Sequence, residues 1–177
     1  MEGAYPALFK LREEGVIGAI GLGMNQWQML ADFAMAGDFD CFLLAGRYTL
    51  LEQESLCELL PLCLEKDVRI IIGGPYNSGI LATGAIDGAM YNYAPANSQL
   101  LARVRQIESV CARHKVPLKA AALQFPFGHE AVATTIPGAR SAEEIRDNVR
   151  LIEHPIPEDF WAELKAGGLV ASEAPTP

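Results

Sequence analysis

Hydrophobic positions along the chain keep two rhythms, and the alternation between them predicts the fold. Ala4, Leu8 and Leu11 fall at helical spacing, and Gly15 closes that run. The apolar stretch VIGAIG (16–21) follows as a short strand, and WQMLADFAMAG (27–37) as a helix ended by glycine. DCFLLAGRY (40–48) is a second strand, QESLCELLPLCLEK (53–66) a helix bent at Pro61, and VRIIIGG (68–74) a third strand. A Gly/Asn/Tyr-rich loop then runs from Pro75 to Pro95. Beyond it the pattern predicts helices at about 97–114 and 117–125, a strand ending at Ile136-Pro137, and helices at about 141–152 and 157–166. The tail 169–177 is small, polar and Pro-ending, and is expected to be flexible.

Strand followed by helix therefore recurs four times, starting near residues 16, 40, 68 and 133. The strands are continuous apolar runs rather than alternating ones, which predicts a parallel sheet buried on both faces. A closed barrel of eight such units needs about 250 residues. At 177 residues the expectation is an α/β half-barrel: four parallel βα units in one domain, residues 1–168, with a tail at 169–177. A helix precedes the first strand, as though the chain had been entered mid-pattern. An open half-barrel leaves two unpaired sheet edges, so self-association is expected, with two copies around a two-fold axis as one way to close eight strands.

Composition narrows the partners. Half of the residues are hydrophobic, a fifth are charged, and the formal net charge is -8. That balance is globular, and it excludes a nucleic-acid or anionic-membrane surface, which needs a basic footprint. A bound phosphate would have to be held by backbone N–H groups and helix ends. No apolar run approaches the roughly 18–20 residues of a membrane span, and the N-terminus lacks a signal-peptide pattern, so a cytoplasmic location is expected. Cys41, Cys57, Cys63 and Cys111 form no C-x-x-C pair and read as reduced thiols.

Several familiar motifs fail. The third glycine of a dinucleotide fingerprint starting at Gly21-Leu22-Gly23 would fall at Gln26. GGPYNSG lacks the Lys-Ser/Thr ending of a Walker loop, and His129-Glu130 lacks the second histidine of a zinc-protease helix. No metal site is expected. Three other features are stronger. In IIIGGPYNSGILATG (70–84) an apolar strand runs into small and amide residues at its C-terminal end, where ligands bind in parallel α/β folds. In TTIPGARSAEEIRDNV (134–149), Ser141 and Glu144 form a capping box, while Gly138 and the helix start equally suit an anion. Arg140 beside them reads either as a phosphate or adenine contact or as a solvated charge. Arg47, ending a buried strand, must either be paired to a neighbouring acid or contact a ligand. Trp27, Tyr48, Tyr76, Tyr91 and Tyr93 cluster after strands or in the long loop, where aromatics line pockets or simply pack.

These segments, in this order, resemble the second half of an aldo-keto reductase. GVIGAIGLGMNQ resembles that family's fifth strand and loop, DCFLLAGRYTLLEQ the sixth, VRIIIGGPYNSGILATG the seventh, and ATTIPGARSAEEIRDNV the eighth with its adenosine-binding helix. The forms LLAGRYTLLEQ and GGPYNSGILA look closest to the aldose-dehydrogenating branch, with D-threo-aldose, L-fucose and pyridoxal 4-dehydrogenases. The resemblance implies a TIM barrel binding NAD or NADP in an extended pose. Gly74, Tyr76, Asn77 and Ser78 would surround the pyrophosphate, and Gly138, Arg140, Glu144, Asp147 and Asn148 the adenosine end. Asn25 would take the carboxamide contact, because Gly23-Met24 stand where relatives carry Ser-Asn. Trp27 and Arg47 are the candidates for the substrate side. NADP-preferring relatives place a basic residue where this chain has Glu144, so NAD is the preferred cofactor. The family's catalytic Asp, Tyr, Lys and His lie on strands two to four, which have no counterpart here. The expectation is the cofactor-binding, C-terminal fragment of an aldose dehydrogenase that passes hydride between nicotinamide and a sugar or aldehyde carbon. Alone it would lack catalytic residues. The alternative is a non-catalytic nucleotide-binding or assembly module.

Overall fold

The computed structural model describes residues 3–177; Met1 and Glu2, the first residues of the expected 1–168 domain, lie outside the described residues. The chain runs α1 (Ala4–Glu13), β1 (Gly21–Met24), α2 (Trp27–Ala36), β2 (Cys41–Ala45), α3 (Leu59–Glu65), β3 (Arg69–Gly73), α4 (Ile80–Thr83), β4 (Met90–Tyr91), β5 (Ala94–Pro95), α5 (Ser98–His114), α6 (Leu118–Gln124), β6 (Val132–Ile136), α7 (Ala142–Ile152) and α8 (Glu158–Ala166). Four strands form one parallel sheet in the order β1-β2-β3-β6, with an irregularity between β3 and β6 at Ile70/Ile71. This is the expected arc of an α/β barrel. β4 and β5 form a separate two-stranded antiparallel ribbon inside the long loop.

The covered face of the sheet holds it together. Phe42, Leu44, Ile70 and Ile72 alternate along β2 and β3, and all are 0 % exposed. They belong to one core cluster with Leu30, Leu59, Leu60, Val104 and Phe125. Each such side chain contributes about 1.5–3 kcal/mol on burial. The other face differs from the expectation of burial on both sides. Cys41, Leu43, Ala45 and Ile71 are only partly buried, and Ile136 is exposed. The strands are apolar all round because their composition suits two covers, but this chain supplies one.

Three local expectations need correction. The first strand lies at Gly21–Met24, not at 16–21. Val16 and Ile17 donate their N–H groups to Leu11 O and so finish α1, while Gly21 pairs with Cys41. A Cβ on Gly21 would meet Cys41 O at 2.5 Å, so the sheet selects a glycine where strand propensity alone would place a β-branched residue. The helix expected over 53–66 breaks at Glu58 (φ -147, ψ -59) into a 3-10 turn over Glu54–Cys57 and α3. Pro61 then sits in the first turn of α3, where a missing N–H costs little, and does not bend a continuous helix. The tail expected to be flexible is packed: Leu169, Val170 and Ala174 are buried. Gly168 (φ 63) turns the chain back, Arg103 donates to Leu169 O at 2.9 Å, and Ala171 N donates to Gln53 Oε1 at 3.2 Å.

All four cysteines are free thiols; burial pushes the Cys63 and Cys111 groups up to about 12, so both stay protonated. Among the described residues no helix is long and apolar enough to cross a membrane, and no three His, Cys, Asp or Glu side chains gather as metal ligands.

Candidate functional site

Every sequence-selected site segment follows the C-terminal end of a sheet strand: Asn25 after β1, Arg47 after β2, Gly74–Ser78 after β3, and Gly138 after β6. The loop after β3 is the most constrained. Gly74, Asn77, Ser78 and Gly79 all have positive φ, at 60°, 46°, 59° and 100°. For Asn77 and Ser78 this left-handed backbone costs about 1–2 kcal/mol each, so the loop must be held by its surroundings. Asn77 Nδ2 donates to Gly46 O at 3.1 Å, and Tyr93 N, from the β4–β5 ribbon, donates to Ser78 Oγ at 3.3 Å. The long loop thus folds back to brace the turn.

Between this loop and the start of α7 lies a cleft of about 720 Å³ lined by Gly74, Tyr76, Asn77, Ser78, Thr83 and Tyr93 on one side, and by Lys119, Gly138, Arg140, Glu144 and Asn148 on the other. Two observations mark it as unfinished. Asn77 is 5 % exposed and its Oδ1 has no hydrogen-bond partner. Ideal Cβ atoms on Gly74 and Gly138 would meet nothing within 4 Å, so bare backbone faces open space at both positions. Tyr76 OH donates to Asn148 Oδ1 at 2.6 Å and so ties the two sides together, and on the far side Lys119 Nζ pairs with Asp147.

At the start of α7, Ser141 Oγ accepts from Glu144 N at 3.2 Å, which is the expected cap. The reciprocal contact is shifted by one residue. Glu144 Oε2 accepts from Arg140 N at 2.7 Å, and Oε1 accepts from the Arg140 guanidinium at 2.9 Å. Those Arg140 donors hold the Glu144 carboxyl below its usual range, as Lys119 does for Asp147. Arg140 and Glu144, read separately in the sequence, are one neutral pair.

A second hollow, of about 400 Å³, brings Asn25 and Trp27 together with Gln26, Gln28, Arg47, Glu52 and Glu54. Arg47 Nη1 reaches Glu52 Oε1 at 3.3 Å, so of its two readings the ion pair is realised. Burial pushes the Glu52 carboxyl up, and Arg47 offsets only part of that. Most of the sequence-selected residues fall into two groups, one at each hollow; Asp147 lies beside the cleft through its pair with Lys119, Tyr91 lines a separate groove along α5, and Tyr48 is buried in the core.

Residues 1–167 match the family model described as "Aldo/keto reductase family". The chain belongs to the aldo/keto reductase family. It is 44% identical over 169 residues to pyridoxal 4-dehydrogenase of Microbacterium luteolum, and 38% identical over 176 residues to D-threo-aldose 1-dehydrogenase of a Pseudomonas species. These alignments cover 96% and 98% of this chain but 49% and 52% of those proteins, so the chain spans about half the length of the curated relatives it matches. In fold it resembles the holo form of an aldo-keto reductase from Bacillus halodurans, at a TM-score of 0.74 and 21% identity, covering 96% of this chain and 56% of the other.

As an aldo/keto reductase family member the chain carries two features the sequence did not disclose. Lys119 lies on α6 and reaches the cleft only through tertiary packing; nothing in its local sequence marks it. Thr83 lines the same cleft from α4. Lys119 also gives Tyr76 a lysine neighbour, with Nζ 5.8 Å from the ring centroid. The phenol does not gain acidity from it. Burial, with Asp147 added, drives Tyr76 upward instead, and burial does the same to Tyr48.

Proposed function

We propose that this chain is the C-terminal, cofactor-binding half of an NAD(P)-dependent aldose dehydrogenase of the aldo-keto reductase barrel type. The cleft carries this reading, through the bare backbone of Gly74 and Gly138 that faces it. An extended dinucleotide fits that arrangement. Gly74 and Gly138 admit close approach, and the α7 N-terminus offers free N–H groups to phosphate. Tyr76, Asn77 and Ser78 would flank the pyrophosphate, and Arg140, Glu144, Asp147 and Asn148 the adenosine. Asn25 would meet the carboxamide, with Trp27 and Arg47 towards the substrate. When bound, the nicotinamide supplies or takes up hydride from a sugar or aldehyde carbon.

The preferred dinucleotide is NAD, since Glu144 at the adenosine end accepts from a ribose hydroxyl and repels a 2′-phosphate. The Arg140 pair tempers that preference, because the guanidinium is already in place to turn from the carboxylate to a phosphate. Calorimetric titration of the chain with NADH and NADPH in physiological salt tests both statements. Tighter binding of NADH supports them, equal affinity removes Glu144 as the selector, and no binding of either rejects the cofactor-binding reading. Free buried thiols accord with a reducing, cytoplasmic setting.

A second reading, an assembly module, is favoured by the apolar surface left open. Ile145 and Val149 on α7 are 56% and 57% exposed and share a groove with Phe127, and Ile136 is exposed at the sheet edge. We propose that two copies associate through these edges. Light scattering should find a dimer at tens of micromolar, and Val149→Glu should shift it towards monomer; a wild-type monomer rejects the proposal.

A further inference from the structure

The long loop has a tyrosine in each of two hollows: Tyr93 lines the cleft, and Tyr91 lines the separate groove of about 520 Å³. The other walls of that groove are α5 and the Gly167–Gly168 turn after α8, and it shares no lining residue with the cleft or with the hollow beside Arg47. Its charge runs against that of the chain. The sequence holds 22 acidic residues against 14 basic ones, yet the groove is lined by one arginine and no carboxylate.

That arginine, Arg103, is fixed in place. Its Nη1 donates to Leu51 O at 3.1 Å and its Nη2 to Leu169 O at 2.9 Å, which leaves three of the five guanidinium N–H donors unspent. Both bonds go to neutral carbonyls, and among the described residues no carboxylate pairs with it. Glu52 is the acid whose field reaches it, and Glu52 is paired to Arg47. Burial draws the Arg103 pKa below its ordinary value, so the charge is carried at a cost that a bound anion would offset.

The surroundings say which anion. Gln99 and Gln106 stand four residues before and three residues after Arg103, so the three share one face of α5. Both glutamines are exposed, each amide offers donors and an acceptor, and Tyr91 adds a phenol. Gly168 leaves bare backbone there, with nothing within 4 Å of an ideal Cβ. The flat fork of a guanidinium matches a planar carboxylate in two bonds, while amides and a phenol match hydroxyl groups. Inorganic phosphate would use the fork and leave the amides idle. A neutral sugar would use the amides and leave the guanidinium without a counter-charge.

We infer that this groove is a second ligand site, for a small hydroxy acid whose carboxylate is held by Arg103 and whose hydroxyls meet Gln99, Gln106 and Tyr91. Because the groove and the cleft share no residue, the site stands or falls apart from the dinucleotide reading.

The test is proton–nitrogen correlation NMR of the 177-residue chain, titrated at constant ionic strength with D-gluconate, D-glucose and inorganic phosphate. Gluconate should move the backbone amides of Gly167 and Gly168 and the side-chain amides of Gln99 and Gln106, and leave Gly74 and Gly138 in place. It should bind more tightly than glucose or phosphate by about tenfold or more, the difference that charge-assisted bonds contribute. Arg103→Lys keeps the charge but not the fork, and should abolish the advantage of gluconate over phosphate. Arg103 also ties Leu51 to Leu169, so Gln106→Glu is the second probe, on an exposed side chain that the fold does not need. Its added carboxylate should weaken gluconate by about tenfold through like-charge repulsion. Gluconate that moves the cleft glycines instead, or moves no groove amide, overturns the inference. Glucose or phosphate bound as tightly as gluconate overturns it as well, and so does a Gln106→Glu chain that binds gluconate like wild type.

Discussion

Between β3 and β6 the strand ends open into a cleft whose backbone is bare at Gly74 and Gly138 and whose Asn77 Oδ1 has no partner. Between β1 and β2 they open into a hollow where Arg47 and Glu52 are already matched to each other. The two regions share one sheet and one mouth, yet they stand in different states of completion. A ligand entering the first meets bare backbone at Gly74 and Gly138, with no ion pair to displace there. A ligand entering the second must compete with an ion pair. On the functional reading, affinity resides at the β3–β6 end, while the β1–β2 end is shaped in advance for a substrate that the rest of a barrel would deliver.

The largest effect that could break this comparison is turnover. The chain should bind a dinucleotide and still show no dehydrogenase activity with L-fucose, D-arabinose or pyridoxal, followed by nicotinamide absorbance. A positioned acid or base contributes typically about 10²–10⁴-fold, and the buried phenols of Tyr48 and Tyr76 are shifted upward, away from that role. Mixing with a recombinant N-terminal half of a relative should bring a slow signal if the halves reassociate. Clear turnover by the chain alone, surviving repurification and lost in Tyr76→Phe, would show that the acid lies in the cleft itself.

Next in size is an asymmetry between the two hollows. Gly74→Val forces a β-branched residue into φ 60 and fills open space in the cleft. NADH affinity should fall by about tenfold or more, equivalent to about 1.4 kcal/mol per decade, with a strain cost near 1–2 kcal/mol in stability. Arg47→Met removes the ion pair on the other side. It should leave NADH affinity within about twofold and cost at most about 1 kcal/mol of stability, because the pair is part-exposed. Should Arg47→Met weaken NADH as much as Gly74→Val does, the division into a binding end and a waiting end fails.

The sequence carried the sheet and the loops at its mouth because those are set by short-range patterns: apolar runs, glycine stops, the Ser141 cap and the glycine-bearing turns after β3 and β6. What it hid was set by contacts across the chain. β1 moved to Gly21–Met24 because Cys41 lies against Gly21 too closely for a side chain, a fact of packing rather than propensity. Lys119 entered the cleft from a helix whose other residues, Ala120 to Leu123, are simply core. The tail is mostly small and polar in composition, yet Leu169, Val170 and Ala174 have places in the core. The second face of the sheet is apolar by composition, yet the described residues leave it partly open. The pairing of Arg140 with Glu144 is legible at helical spacing, four residues apart.

The smallest effect concerns pH and separates the two hollows by sign. Glu144 and Asp147 at the cleft hold their protons less tightly in the fold, the first through the Arg140 backbone N–H and guanidinium, the second through Lys119. The unfolded chain then binds more protons near pH 4, so these groups support the fold above their unfolded pKa, and that support is lost as pH falls. Glu52 is the reverse. Burial keeps its proton on to higher pH than in the unfolded chain, so its effect favours the fold at low pH and declines as pH rises through its raised pKa. Urea denaturation between about pH 3.5 and 7 of wild type, Asp147→Asn and Glu52→Gln should expose the contrast. Relative to wild type, Asp147→Asn should lose stability progressively as pH rises, because the deleted carboxylate matters only when ionised. Glu52→Gln should gain relative stability over the same range, since the variant escapes the cost of charging a buried acid. If both variants slope the same way, the hollow beside Arg47 is as well prepared for charge as the cleft, and the difference between the two ends disappears.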